Sequence, residues 1–202
     1  AIRDTAEYVP LFVGGMGMAA KVAWDELPPG VGPFDPDNLL MLMTGPLTGT
    51  LASGSSRVLV AGVAAQQRPA VYSRSGIGGH WGAELKFAGF DGIIVRGQAE
   101  RPLYLWVTNG QAELRDAADL WGLGTYGVTA QLRARHGART RLIAIGPAGE
   151  RRSRIACLQT ETGNAAGQGG FGGVMGAKRL KAIAVRGTGG VRVHDPARLL
   201  DL

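Results

Sequence analysis

Glycine fills 33 of the 202 positions, roughly 16% against about 7% in average globular usage. The glycines follow no triplet period and are interleaved with apolar segments such as residues 39–43 and 143–145, which excludes collagen and a disordered linker. What remains is a folded chain whose backbone comes close to something, itself or a ligand, at many points. With 45% hydrophobic residues, this length supports one sizeable core or two small ones and is too short for a large multidomain enzyme.

The charge balance, 22 basic against 16 acidic residues or +6, favours an anionic partner: a phosphate-bearing cofactor, an acidic protein or nucleic acid. A single cysteine, Cys157, excludes an intramolecular disulfide and any all-cysteine metal or iron–sulfur site built from this chain alone. No apolar stretch approaches the ~20 residues that cross a bilayer, and the opening Ala-Ile-Arg-Asp-Thr-Ala-Glu is no signal peptide. A soluble, cytoplasmic protein without a membrane partner is therefore expected. The missing initial Met and the helix that begins and stops at residues 196–202 point to a piece of a longer chain.

Periodicity and punctuation predict a strand at 8–13, a helix at 18–27 that stops before Pro28-Pro29, a loop at 28–38 and a buried strand at 39–43. Strands follow at 58–63 and 70–73, then a glycine loop at 76–82, a short helix at 83–88 and a strand at 92–96. Residues 103–107 and 112–115 form a hairpin through Asn109-Gly110, and a helix covers 127–136. The second half repeats the first. Ile93-Ile-Val-Arg-Gly97 recurs as Ile183-Ala-Val-Arg-Gly187, 90 residues on, and Gly79 and Gly82 fall on Gly169 and Gly172 at the same offset. A strand ending in Gly-Pro also appears twice, at Gly45-Pro46 and Gly146-Pro147, 101 residues apart. The expected fold class is α+β: two related β-rich halves about a pseudo-twofold axis, with two glycine loops around one symmetric or doubled ligand.

Gly15-Met-Gly17-Met-Ala-Ala20 matches the dinucleotide fingerprint, but the acidic residue expected ~20 positions on falls in a proline-rich loop at Asp35 and Asp37, and no Walker A sequence occurs. The stretches 44–57, 75–82 and 163–173 combine bare amides, hydroxyls and guanidiniums, the donors that cradle phosphate or a polar heterocycle. Arg57 is the leading phosphate-binding candidate, set against a solvated strand-end arginine. Glu84 and Lys86 are expected to form capping and surface contacts, and Cys157 to be buried in an apolar strand. His80, His136 and His194 lack ligand spacing, although His80 borders a glycine loop and His136 suits a helix C-terminus as a cation. Lys178, Arg179 and Lys181 form a basic knot without the interleaved aromatics of a nucleic-acid module.

Trp24-Asp-Glu-Leu-Pro-Pro-Gly30, Thr44-Gly-Pro-Leu-Thr-Gly-Thr50 and Gly78-Gly-His-Trp-Gly-Ala-Glu-Leu-Lys-Phe-Ala-Gly-Phe-Asp91 resemble the N-terminal domain of the aldehyde ferredoxin oxidoreductase family. Leu114-Arg-Asp-Ala, Ile145-Gly-Pro-Ala-Gly-Glu150, Gly172-Gly-Val-Met-Gly-Ala-Lys178 and Leu180-Lys-Ala-Ile-Ala-Val-Arg-Gly-Thr-Gly189 continue the resemblance, which spans residues 12–202 within a single domain, 1–202. It implies a base for a bis-pyranopterin tungsten or molybdenum cofactor, with aldehydes oxidised to carboxylic acids and electrons passed through a 4Fe-4S cluster to ferredoxin. A family member that reduces an aromatic thioester, or a stand-alone binding domain without redox chemistry, is the alternative. The cluster ligands would lie in downstream helical domains, and a homo-oligomer is possible.

By the same resemblance Arg57 contacts pterin phosphate, Gly78 and Gly79 approach one pterin, and Ala165, Ala166 and Gly167 line the other. The carbonyls of Gly76 and Ala165 take a magnesium ion bridging the two phosphates. Four positions depart from the family pattern: Met16, Gly76, Asn164 and Gln168 stand where arginine, asparagine, arginine and arginine are usual.

Overall fold

The structure, a computed structural model, describes residues 1–201. Where a strand was expected the chain makes one helical turn, α1 (Val9–Phe12). Pro10 holds a helical φ at its start, and the turn breaks at Val13 and Gly14, with φ of 61° and 154°. Helix α2 (Gly15–Glu26) follows. Because a helical turn and not a strand precedes it, the glycines at its start are no dinucleotide fingerprint. Then come β1 (Leu40–Met43), β2 (Val58–Val63), β3 (Tyr72–Ile77), α3 (Trp81–Phe87) and β4 (Gly92–Val95). Strand β3 starts later than the expected 70–73 and runs through Gly76, so the glycine loop proper begins at Gly78.

Strands β5 (Leu103–Thr108) and β6 (Gln111–Asp116) form the expected hairpin, with Asn109 and Gly110 both at positive φ, 41° and 81°. Next are α4 (Thr125–His136), β7 (Arg141–Ala144), α5 (Pro147–Glu150), β8 (Leu158–Thr160), β9 (Ala165–Ala166), α6 (Phe171–Ala177), β10 (Leu180–Arg186) and α7 (Pro196–Leu200). The chain is thus a mixed α/β fold with two sheets.

One sheet has the order β3-β2-β1-β4, and the other β6-β5-β10-β7-β8-β9. Every pair is antiparallel except β10 with β5. The runs β3-β2-β1-β4 and β9-β8-β7-β10 follow the same pattern, and their registers correspond. Leu42 lies opposite Val60 and Ile93, as Ile143 lies opposite Thr160 and Ile183. Gly76 faces Leu59, as Ala165 faces Gln159. Helices α3 and α6 each have 7 residues, α2 and α4 each 12.

The central strands carry continuous apolar runs because they are covered on both faces. Leu40 and Leu42 point into the main core with Ile143, Leu158, Ile183 and Val185, against Trp81 and Leu85 of α3 and Phe171, Val174 and Met175 of α6. Alternate residues point outward. Met41 and Met43 pack under Met18, Ala19 and Val22 of α2, and Leu142, Ala144, Ala182 and Ala184 under Val128 and Leu132 of α4.

Several polar expectations are corrected by this packing. Glu84 is buried, accepting bonds from Arg186 at 2.6 Å and from the Gly187 amide at 3.0 Å. Lys178 and Lys181 are buried too. Lys181 donates to the Leu123 carbonyl at 2.8 Å and pairs with Glu150, so the basic knot is largely internal and presents no continuous cationic surface. His136 stacks on Trp106 at 3.8 Å and meets the Tyr104 hydroxyl at 3.0 Å. Burial, with Arg115 and Arg135 adding to it, pushes its pKa down, which disfavours the imidazolium expected at the helix end. Cys157 is exposed, since its strand begins only at Leu158.

Candidate functional site

The glycine loops meet where the two sheets approach each other through their end strands, β3 packing against β8 and β9. Gly78 and Gly79 extend from β3, and on the other side the turn 160–164 leads into β9. That turn is closed by the Thr160 amide donating to the Asn164 carbonyl at 2.8 Å and by the Asn164 amide donating to Thr160 Oγ1 at 3.2 Å. A Cβ on Gly78 would lie 3.3 Å from Asn164 Oδ1, and one on Gly79 3.0 Å from Thr162 Oγ1 and 3.1 Å from Asn164 Nδ2. Gly79 also has a φ of 91°. The dihedral therefore favours glycine at 79, while a side chain at 78 would press on the Asn164 carboxamide.

Arg57, just before β2, turns its guanidinium over the bare backbone of Gly76, where a Cβ would stand 2.9 Å from Nη1. The fold thus joins Arg57 to Gly76, and Gly78 and Gly79 to Asn164, with Ala165–Ala166, Gly167 and Gln168 following directly. Arg57, Asn164, Ala165, Gly167 and Gln168 are exposed, while Gly76, Gly78 and Gly79 are half-buried. Ala166 is different: its side chain belongs to the main core, which leaves only its backbone to a ligand. His80 is exposed at the start of α3, and its side chain does not cap the helix.

The chemistry of this face is set by its donors. It offers backbone amides and carbonyls, hydroxyls, a carboxamide and guanidiniums, which suit phosphate and the polar edge of a heterocycle, and its carbonyls suit a hard cation. Among the described residues no group of three or more His, Cys, Asp or Glu is placed to hold a metal. Sequence reasoning missed one cation here, Arg74, an exposed residue of β3 two positions before Gly76. Strand alternation carries its signal, but a strand bounded at 70–73 stops one residue short of it. A concavity of about 860 Å³ lies elsewhere, along the open edge of β4, between Met18 and Val22 of α2 and Leu105, Val107 and Leu114 of β5 and β6. Neither it nor a smaller cavity of about 230 Å³ beside Gly14 and Pro46 includes any residue expected to bind the cofactor.

The aldehyde ferredoxin oxidoreductase N-terminal domain model matches residues 2–187. The chain is 38% identical over 195 residues to the tungsten-containing aldehyde ferredoxin oxidoreductase of Pyrococcus furiosus, covering 96% of this chain and 32% of that protein. It is 35% identical over 205 residues to the aliphatic sulfonate oxidoreductase WOR-like subunit of the same organism, covering 93% and 32%. Among solved structures, it resembles a chain of the BamBC active-site complex of benzoyl coenzyme A reductase with 1,5-dienoyl-CoA. The TM-score is 0.91 at 39% identity, over 96% of this chain and 30% of that one. The chain thus spans about a third of the length of the relatives it matches.

Proposed function

Because the chain belongs to the aldehyde ferredoxin oxidoreductase family as its N-terminal domain, we propose that it is the base on which a bis-pyranopterin tungsten or molybdenum cofactor lies in a larger oxidoreductase. The observation that supports this reading is the pair of glycine-rich segments, one after β3 and one around β9, meeting beside Arg57 and Asn164. We take the two runs of strands as an internal duplication about a pseudo-twofold axis, which suits a ligand made of two like pterins. When bound, such a cofactor supplies the two-electron redox chemistry.

The chain's own residues bind and orient. Arg57 donates to a phosphate, Gly78 and Gly79 admit a flat ring against the backbone, and Ala165, Ala166 and Gly167 present backbone to the second ring. Asn164 and Gln168 would contribute neutral hydrogen bonds, and the carbonyls of Gly76 and Ala165 would hold a magnesium ion. The 4Fe-4S cluster and the contacts with ferredoxin belong to other parts of the whole protein, whose reaction we propose to be oxidation of an aldehyde to a carboxylic acid. Reduction of an aromatic thioester is the second reading, favoured by the 0.91 TM-score to the benzoyl coenzyme A reductase chain. The test is the complete protein carrying Arg57→Ala or Arg57→Lys. Tungsten or molybdenum per chain should fall, more in Ala than in Lys, with unfolding of the metal-free protein unchanged. Full metal content in both variants would remove Arg57 from the site. Assays with aldehydes and with aryl-CoA thioesters then separate the two reactions.

A further inference from the structure

We propose that Arg74 is a second cation for the phosphate that Arg57 holds, so that the first half of the domain carries the cofactor's negative charge; this rests on the cofactor reading above. Strand alternation places Tyr72, Arg74 and Gly76 on one face of β3, and the register agrees, pairing them with Val63, Ala61 and Leu59. Ala61 and Leu59 pack on the side covered by α2, which is the outer side of this sheet. Beyond that helix, at the end strand, Arg74 stands exposed.

Residues two apart on a strand are separated by about 7 Å, which an arginine side chain spans. The Arg57 guanidinium already lies over Gly76, and Gly76 has no side chain to fill the space. Arg74 thus neighbours, on one strand face, the glycine over which Arg57 lies. Neither Arg57 nor Arg74 has a carboxylate partner among the described residues, a condition they share with nine other arginines, but these two stand together at Gly76. Two cations extended from neighbouring positions of one face leave an anion to be neutralised between them, and the planar forks of two arginines suit the oxygens of one phosphate.

The second half has no such pair. Cys157 holds the register place of Arg57: it precedes Leu158, which pairs with Ala166, as Arg57 precedes Val58, which pairs with Ile77. Strand β9 is only two residues long and has no position corresponding to Arg74. Asn164 and Gln168 are neutral. The cations of the face are therefore Arg57, just before β2, and Arg74 of β3.

The proposal is tested on the complete protein with Arg74→Ala, Arg74→Lys, Arg57→Ala and the double Ala variant. Pterin is read by fluorescence after oxidative release and metal by elemental analysis, both on purification and during prolonged dialysis, with thermal unfolding of the cofactor-free protein in parallel. Arg74→Ala should lose pterin and metal about tenfold to a hundredfold faster than wild type, with Arg74→Lys between them. The double variant should lose them more slowly than the product of the single effects, because both arginines act on one phosphate. Unchanged retention in Arg74→Ala, or strictly multiplicative effects in the double variant, would overturn the proposal while leaving the cofactor reading intact. Equal destabilisation of the cofactor-free protein would also overturn it, by making Arg74 structural. Wild-type protein without pterin would overturn both readings.

Discussion

At the scale of single residues, charge is buried where the sequence placed it on the surface. Lys178 is 4% exposed and donates to the carbonyls of Pro36 at 3.1 Å and Gly97 at 3.2 Å, tying the proline-rich loop to the end of β4. Burial lowers its pKa from 10.5 to about 8, while Asp37 acts in the opposite direction. The folded-state value lies below the unfolded one, so between about 8 and 10.5 the unfolded chain binds more protons. The contribution of Lys178 to stability therefore rises with pH across that window and is smallest at neutrality, where the buried ammonium is a cost. Urea unfolding at steps from pH 7 to 10 should show wild type gaining stability relative to Lys178→Met. Parallel pH profiles for the two proteins would refute the argument.

At the scale of elements, two short helices, α5 and α6, account for four of the 33 glycines. Helix α6 is wholly buried and lies so close to α5 that a Cβ on Gly176 would overlap the carbonyl group of Gly149. On the next turn toward its N-terminus, a Cβ on Gly172 would be 2.8 Å from the Ala156 carbonyl oxygen. The obstructing atoms are backbone and cannot swing aside. Gly176→Ala should therefore cost more than about 3 kcal/mol and leave little soluble protein. Gly146, with an ordinary φ of −91° and open space around its Cα, is the control: Gly146→Ala should change stability by less than about 0.5 kcal/mol. Soluble yield and denaturant midpoints of the two variants decide it, and a stable Gly176→Ala would disprove the close-packing account.

At the scale of the molecule, both sheets share one core. Trp81 of the first half donates its indole N–H to the Ile183 carbonyl at 3.1 Å, and Glu84 reaches Arg186 across the same junction. Neither half buries its inner face alone, so the chain should unfold in a single transition, with calorimetric and van't Hoff enthalpies equal. Trp81→Phe should lower stability by about 2–4 kcal/mol through lost volume and the lost bond, and hydrogen exchange in β1 and β10 should accelerate together. Two separated transitions, or faster exchange confined to one sheet, would show that the halves fold independently.

The sequence by itself determined the elements whose signals are local and strong. Residues 58–63 are apolar throughout, Asn109-Gly110 sits at a dipeptide suited to positive φ, and α2 stops before Pro28-Pro29. The two copies of Ile-x-Val-Arg-Gly both lie in strands, Ile93 opposite Leu42 and Ile183 opposite Ile143. Only the tertiary structure decided that residues 8–13 coil instead of extending, that Glu84, Lys178 and Lys181 go inside and that Cys157 stays out. It also decided that Arg74 stands on the same strand face as Gly76. Short-range pattern records what a residue prefers against its immediate neighbours. Whether a charge is buried or a thiol exposed depends on which distant part of the chain supplies its partner, and for Glu84 the Arg186 guanidinium is 102 residues away.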